Sequence, residues 1–400
     1  MAGLIEFEDA RALVLEHARP LAAETIALRD ALGRVLAQEI TAPEDVPAFD
    51  NSAMDGFAVR SSDTAAGVRL RIVGESRAGR PAEIAVGAGE ACAISTGAAM
   101  PGGADAVVRV EDTRREGDEV ELTVAVRPDR DVRHAGEDLR AGESILTAGR
   151  RIGPSELGVL ASAGRASVLV GPRPKVALVT TGDELIGVDE PTRPGAVRNS
   201  GSYVIPALVV EAGGEIVSVA HANDDPGVVA ETIDAALAAD VAIITGGMSV
   251  GVHDHVRDAL DSLGVTRHFA GVALKPGKPT SFGSRGETLV FGLPGNPVSS
   301  LMCFQLFARP ALIALAGERP QRERTLATID EDIELTSGRM HAARCRIVLA
   351  ADGWHATTTG PQGSHILSSM LGAEAVALIP PGDGWLRAGT QVTVELLQRV

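Results

Sequence analysis

From residue 173 onward, short apolar runs alternate with segments of helical length, a pattern that few folds satisfy. Residues 175–180, 215–220, 241–245 and 287–291 read as strands, and 201–212, 227–239, 254–263 and 298–316 as helices. Such alternation predicts a parallel, doubly wound α/β sheet with helices on both faces, here over 173–318. Residues 45–139 have another texture: short β runs (68–73, 90–94, 106–111, 119–126) punctuated by Gly, Asp and Pro, hence a mostly β module. Residues 1–44 and 140–172 are mixed and read as an N-terminal and linking domain, with helical spacing over 8–18 and 154–163. After 319, alternation over 324–335, 343–350, 375–379 and 391–396 predicts a small C-terminal β-barrel over 319–400. The expected fold class is α/β and multi-domain.

In an open α/β sheet, ligands bind beyond the carboxyl ends of the strands. Three of those ends carry unusual loops: Thr181-Gly182-Asp183-Glu184-Leu185, the stretch 246–254, and Gly292-Leu293-Pro294-Gly295-Asn296-Pro297. Glycines let backbone N–H groups approach an anion, and a helix N-terminus adds partial positive charge. A phosphate at 246–251, held around Gly246, Gly247, Ser249 and Gly251, is the expectation; the plainer alternative is that these glycines only cap parallel strands. Asp183, Glu184, Asp224, Asp225 and Asp254 gather at the same edge. Carboxylates there serve either as helix N-caps or, beside phosphate oxygens, as Mg²⁺ ligands. For Asp225, which precedes Pro226, the two readings are evenly matched. His253 and His255 project in different directions on a strand or a helix, which speaks against a joint metal site. Cys303 lies in an apolar helix and reads as core packing.

Lysine usage adds a sharper signal. Of 37 Lys and Arg residues only three are lysine, at 175, 275 and 278, so arginine supplies the generic surface charge. Yet Lys275-Pro276-Gly277-Lys278-Pro279 places two compact ammonium groups on one stiffened turn, which suits a small oxyanion or phosphate. A net charge of −16 argues against a general nucleic-acid binder, and 3% aromatic content leaves few stacking platforms. The N-terminal residues lack a basic and an apolar region, and the most apolar stretch, 289–316, is interrupted by Pro294, Asn296, Pro297 and Arg309. Three widely spaced cysteines, Cys92, Cys303 and Cys345, suggest neither a disulfide framework nor a zinc cage. A soluble, cytoplasmic protein is the expectation.

The β module carries three further polar stretches: 49–58, 95–106 and 132–139. Taken with the loops above, the chain holds PAFDNSAMDGFA, STGAAMPGGADAVV, RHAGEDL, TTGDEL, TGGMSVG, LKPGKP and FGLPGNPVSS in that order. In these motifs, and in Gly363-Ser364-His365-Ile366-Leu367-Ser368-Ser369, the sequence resembles the MoeA family of molybdopterin molybdenumtransferases, which includes the E domain of gephyrin. The resemblance implies a homodimer whose α/β domain binds molybdopterin. Its substrates would be molybdate and adenylylated molybdopterin, its products molybdenum cofactor and AMP, and its cofactor Mg²⁺. By similarity, Asp55, Thr96, Asp138, Glu184, Asp224 and Asp254 fall at catalytic positions, with Glu184 and Asp254 as metal ligands. Arg133, Gly246, Gly247, Ser249, Gly251, Lys275, Lys278, Pro294, Pro297, Arg344 and Ser364 fall at substrate-binding ones.

The resemblance further implies that Asp55, Thr96 and Asp138 reach the cleft from a partner subunit, and that a molybdopterin adenylyltransferase hands over the substrate. Nucleic acid and membrane are not expected partners. Three positions depart from the family pattern: Val252 where relatives often carry an acid, Met248 for a commoner valine, and no aromatic near Arg344. Two competing functions share these features: adenylyl transfer or related nucleotide processing on the same α/β domain, separable by ATP consumption without molybdate, and a non-catalytic scaffold, which would be free to lose Lys275 and Lys278.

Overall fold

The computed structural model describes residues 3–247, 255–320 and 324–397. The chain divides into two units, one formed by Met1–Glu24, Gly33–Ala37 and Leu169–Val400, the other by Thr25–Leu32 and Gln38–Val168.

In the first unit a six-stranded sheet contains β1 (Lys175–Thr181), β2 (Glu215–Ala222), β3 (Val241–Thr245), β4 (Thr266–Ala270), β5 (Ser281–Arg285) and β6 (Thr288–Leu293), in the order β2-β1-β3-β6-β5-β4. The first four in that order run parallel, as expected. The sheet then continues through two antiparallel strands, β5 and β4, that the apolar pattern did not reveal. Side chains alternate across the sheet. Val176, Leu178, Ile243 and Phe291 enter one core, and Ala177, Val179, Ala242, Ile244 and Val290 enter the other. Both faces are buried, which is why these strands read as continuous apolar runs. The first face is covered by α1 (Gly201–Glu211), by helix Phe7–His17 through Phe7, Ala10 and Val14, and by the long helix 297–315. The second is covered by α2 (Pro226–Ala236) and α3 (His255–Ser262).

Helix Pro297–Leu315 is long and apolar enough to cross a membrane, but 83% of it is buried inside the protein, so it is a core helix. Pro310 cannot donate a backbone hydrogen bond to the preceding turn, and the helix meets it with a π-helical segment, Phe304–Ala308.

The same unit contains the C-terminal barrel: β7 (Arg324–Ile329), β8 (Met340–Ala350), β9 (Gly353–Thr358), β10 (Ala375–Ile379) and β11 (Gln391–Leu396). The order β8-β9-β7-β11-β10 closes by pairing β10 back onto β8, which removes every free edge. A short strand, Leu274–Lys275, runs parallel to the start of β8 and joins the lysine loop to the barrel.

In the second unit, six strands (Ala106–Arg109, Gly56–Val59, Glu90–Ile94, Arg69–Ser76, Glu119–Leu122 and Thr113–Glu116, in sheet order) form one sheet. Phe57 and Val59 face one core, and Ala58, Cys92 and Val107 the other. Ile40–Thr41 pairs with Ser144–Leu146, and Pro154–Ser162 is helical.

Candidate functional site

The strand order reverses between β1 and β3, since β2 lies outside β1 on one side and the remaining strands continue on the other. A crevice forms at such a switch point. Thr181, Glu184, Asn199, Gly295, Pro297 and Ser300 are among the residues lining a cleft of about 70 Å³ there. Gly246 has φ +92°, and a Cβ on it would lie 2.6 Å from the Thr181 carbonyl oxygen; a Cβ on Gly295 would lie 3.4 Å from the Gly246 Cα. The three loops therefore touch through glycine, and larger residues would push them apart. Close packing thus gives Gly246 and Gly247 a structural role at the cleft wall. Pro294 follows β6, and Pro297 opens the long helix, where its missing N–H removes no intrahelical bond. Ser249, Gly251, Val252, His253 and Asp254 lie outside the described residues.

The carboxylates at this edge divide by what they hold. The Asp225 side chain accepts from the N–H groups of Gly227 at 2.9 Å and Val228 at 3.0 Å, so it caps α2 rather than facing the cleft. Asp183 and Asp224 cross-link the ends of β1 and β2. The Asp224 N–H donates to Asp183 Oδ1 at 3.1 Å, and the Asp183 N–H reaches Asp224 Oδ2 at 3.4 Å. Each retains one carboxylate oxygen not engaged in that pair. Glu184 is exposed on the cleft lining, over a Gly182 turn with φ +131°. Among the described residues no three His, Cys, Asp or Glu side chains gather as a ready metal cage. Two or three hard oxygen donors beside a phosphate would nonetheless match the Mg²⁺ habit of taking few protein ligands.

The second feature lies where β8 meets the lysine loop. The Lys275 Nζ donates to Thr336 Oγ1 at 3.2 Å, Lys278 is exposed, and no carboxylate among the described residues pairs with either. Gly277 (φ +123°) abuts Cys303, whose thiol also accepts from Thr280 Oγ1 at 3.0 Å. Burial pushes the Cys303 and Cys345 thiols up to about 12, and raises Cys92 as well. These sulfurs are packing groups.

Arg344 is fully buried, with 0% exposure. Its Nη2 donates to the carbonyls of Pro361 at 3.2 Å and Gly363 at 3.4 Å, while Nε and Nη1 have no partner among the described residues. No carboxylate among the described residues compensates it, and burial lowers its pKa. Gln362, missed in the sequence, clamps the main chain here: its Oε1 accepts from the Arg344 N–H at 2.9 Å and its Nε2 donates to the Arg344 carbonyl at 3.3 Å. Ser364 is half-buried, and its carbonyl accepts from the Val298 N–H at 3.2 Å, tying this loop to the first turn of the long helix. Ser300 and Asn199 were also missed. The Ser300 hydroxyl is buried on the cleft lining without a partner among the described residues, and Asn199 is fixed by donating to Thr180 Oγ1 at 2.9 Å.

In the second unit the three polar stretches meet. Asp55 Oδ1 accepts from the Thr96 N–H at 2.7 Å and hydroxyl at 3.1 Å. Val132–Arg133 pairs antiparallel with Asn51–Ser52, and the Gly97 N–H reaches the Ser52 carbonyl at 2.8 Å. Asp55, Thr96, Arg133 and Asp138 are all exposed. Asp131, beside them, is bound by Arg109 at 2.8 and 2.9 Å, which holds its pKa below the usual carboxylate range.

Comparison with known proteins agrees with this geometry. Family models match in chain order: "MoeA N-terminal region (domain I and II)" over 5–164, "Probable molybdopterin binding domain" over 177–314 and "MoeA C-terminal region (domain IV)" over 327–397. A molybdopterin molybdenumtransferase of Synechococcus elongatus is 36% identical over 94% of this chain and 95% of its own. Molybdopterin molybdenumtransferase 2 of Mycobacterium tuberculosis is 35% identical over 98% and 99%. The crystal structure of a molybdopterin biosynthesis MoeA protein from Pyrococcus horikoshii superimposes with a TM-score of 0.82 at 31% identity, covering 98% of this chain and 100% of that one.

Proposed function

The chain belongs to the MoeA family, and from that premise we propose that it transfers molybdenum from molybdate to adenylylated molybdopterin, releasing AMP. The observation that carries the reading is Arg344, a buried guanidinium that has two unpartnered nitrogens and no counter-ion among the described residues. Such a group is costly unless an anion completes it. At a net charge of −16 the average field repels oxyanions, so local cations must prevail. Lys275, Lys278 and Arg344, with Ser364, bind molybdate as a dianion. The crevice at the β1/β3 switch point takes the pterin side of the substrate, with Gly246, Gly247, Pro294 and Pro297 in its walls.

Glu184, with Asp183 and Asp224 beside it, would hold Mg²⁺ together with phosphate oxygens. The ion would polarise the phosphate linkage when bound. The chain's own part is to hold the anions and orient them. With Cys303 and Cys345 buried as neutral thiols, the sulfur that captures molybdenum belongs to the pterin dithiolene rather than to the protein. Asp55, Thr96, Arg133 and Asp138 act in trans, from the β module of a second copy in a homodimer. An adenylyltransferase supplies the adenylylated pterin, in the cytoplasm. In a coupled assay, Lys275→Ala with Lys278→Ala should abolish molybdate-dependent AMP release; undiminished release would refute the oxyanion assignment.

A further inference from the structure

The lysine turn rests on a buried polar seat. Pro276, Gly277 and Thr280 are buried, whereas Lys278 and Pro279 are exposed. The Thr280 hydroxyl donates to the Gly277 carbonyl at 2.7 Å and lies 3.0 Å from the Cys303 sulfur. The Thr280 N–H reaches the same carbonyl at 3.0 Å, which closes the turn. Thr280 is 0% exposed, out of reach of water. A Cβ on Gly277 would fall 2.4 Å from the Cys303 sulfur, so the turn is seated directly on the long helix. Its two ends are fixed separately. Lys275 pairs with the start of β8, and the Lys278 carbonyl accepts from the Val272 N–H at 2.9 Å.

The same helix also holds the Ser364 loop, through the Val298 N–H on the Ser364 carbonyl at 3.2 Å. Val298 and Cys303 lie in one helical segment, about 7–8 Å apart along its axis. One rigid element therefore sets the spacing between the lysine turn and that loop. Two ammonium groups on a single short turn repel each other in the ligand-free protein, and an unbraced turn would let them splay. The brace is specific to a hydroxyl. A methyl group in its place would need about 3.3–3.6 Å from the Gly277 oxygen. Against the 2.7 Å observed, that moves the turn outward by about 0.6–0.9 Å.

We propose that Thr280 is a positioning residue of the oxyanion site: its hydroxyl, seated beside the Cys303 sulfur, fixes the turn so that Lys275 and Lys278 meet one tetrahedral dianion. This rests on the oxyanion reading above. Being buried, Thr280 acts through the two lysines and not on the anion itself. Groups held in their binding geometry before the ligand arrives lose little freedom when it binds. Releasing the brace therefore weakens molybdate binding, while the chemistry of the bound complex proceeds as before. The signature is a raised KM for molybdate at an unchanged kcat.

The test is AMP release from adenylylated molybdopterin by the full-length protein, with sodium molybdate varied, beside thermal unfolding of each variant. Thr280→Val keeps the shape and loses the hydroxyl. It should raise the molybdate KM about five- to thirtyfold and leave kcat within about twofold. Thr280→Ala removes the hydroxyl without crowding the carbonyl, so it carries the test if the valine variant does not fold. Its KM should rise about three- to tenfold. Thr280→Ser retains the hydroxyl and should stay within about twofold of wild type. A molybdate KM unchanged in the valine and alanine variants, whatever their unfolding temperature, would overturn the proposal. So would a serine variant as impaired as alanine, since side-chain volume rather than the hydroxyl would then be responsible. If Lys275→Ala with Lys278→Ala leaves molybdate-dependent release as in wild type, the oxyanion reading itself has failed.

Discussion

Replacing Arg344 by methionine separates stability from function, because the two should move in opposite directions. In the ligand-free protein the guanidinium strands two nitrogens, at about 1–3 kcal/mol each. Methionine fills a similar volume and removes both. It also removes the bonds from Nη2 to the Pro361 and Gly363 carbonyls, worth about 0.5–1.5 kcal/mol each. Those two acceptors lie in an exposed and a half-buried residue, where water can take the place of the guanidinium. The balance favours the variant by about 1–3 kcal/mol, within the range seen when buried charges give way to apolar side chains. For a domain of this size that raises the unfolding temperature by about 2–4 °C per kcal/mol. With an anion bound, the same two nitrogens would make charge-assisted bonds of about 1.5–3 kcal/mol each, so molybdate affinity should fall by about 10²- to 10⁴-fold. Thermal unfolding with and without molybdate, beside AMP release from adenylylated molybdopterin, measures both. A variant that is destabilised yet binds molybdate unchanged would show Arg344 to be a core residue and refute the reasoning.

Asp225→Ala should cost the α2 cap about 1 kcal/mol, read by thermal unfolding, with molybdate-dependent AMP release at the wild-type rate; lost release at unchanged stability would instead make Asp225 a ligand. Asp131→Asn tests the Arg109 pair. Because the folded carboxyl titrates below its unfolded value, the pair stabilises above the unfolded value and loses that contribution as pH falls through the folded one. The variant should be less stable than wild type near neutral pH, and the gap in denaturant midpoint should close in acid; a gap independent of pH would assign the loss to something other than charge.

What was legible in the sequence and what was not follows from which contacts are local. Strands β1, β3 and β6 are buried on both faces, so nearly every residue is apolar and the run stands out. Strands β4 and β5 contain Thr266, Arg267, His268, Ser281 and Ser284, in part exposed, and form no such run although they complete the same sheet. The lysine turn was legible because lysine is rare in this chain, so its two occurrences within four residues cannot be generic surface charge. Arg344 had no such signal: it is one of 34 arginines, and its lack of a counter-ion is a property of the folded loop 361–363 rather than of its neighbours in sequence. A binding site built from unsatisfied groups is by nature a tertiary fact. Sequence pattern reports the residues whose needs are met within their own element. The residues left wanting a partner, where a ligand binds, come to light only when every other partner has been placed.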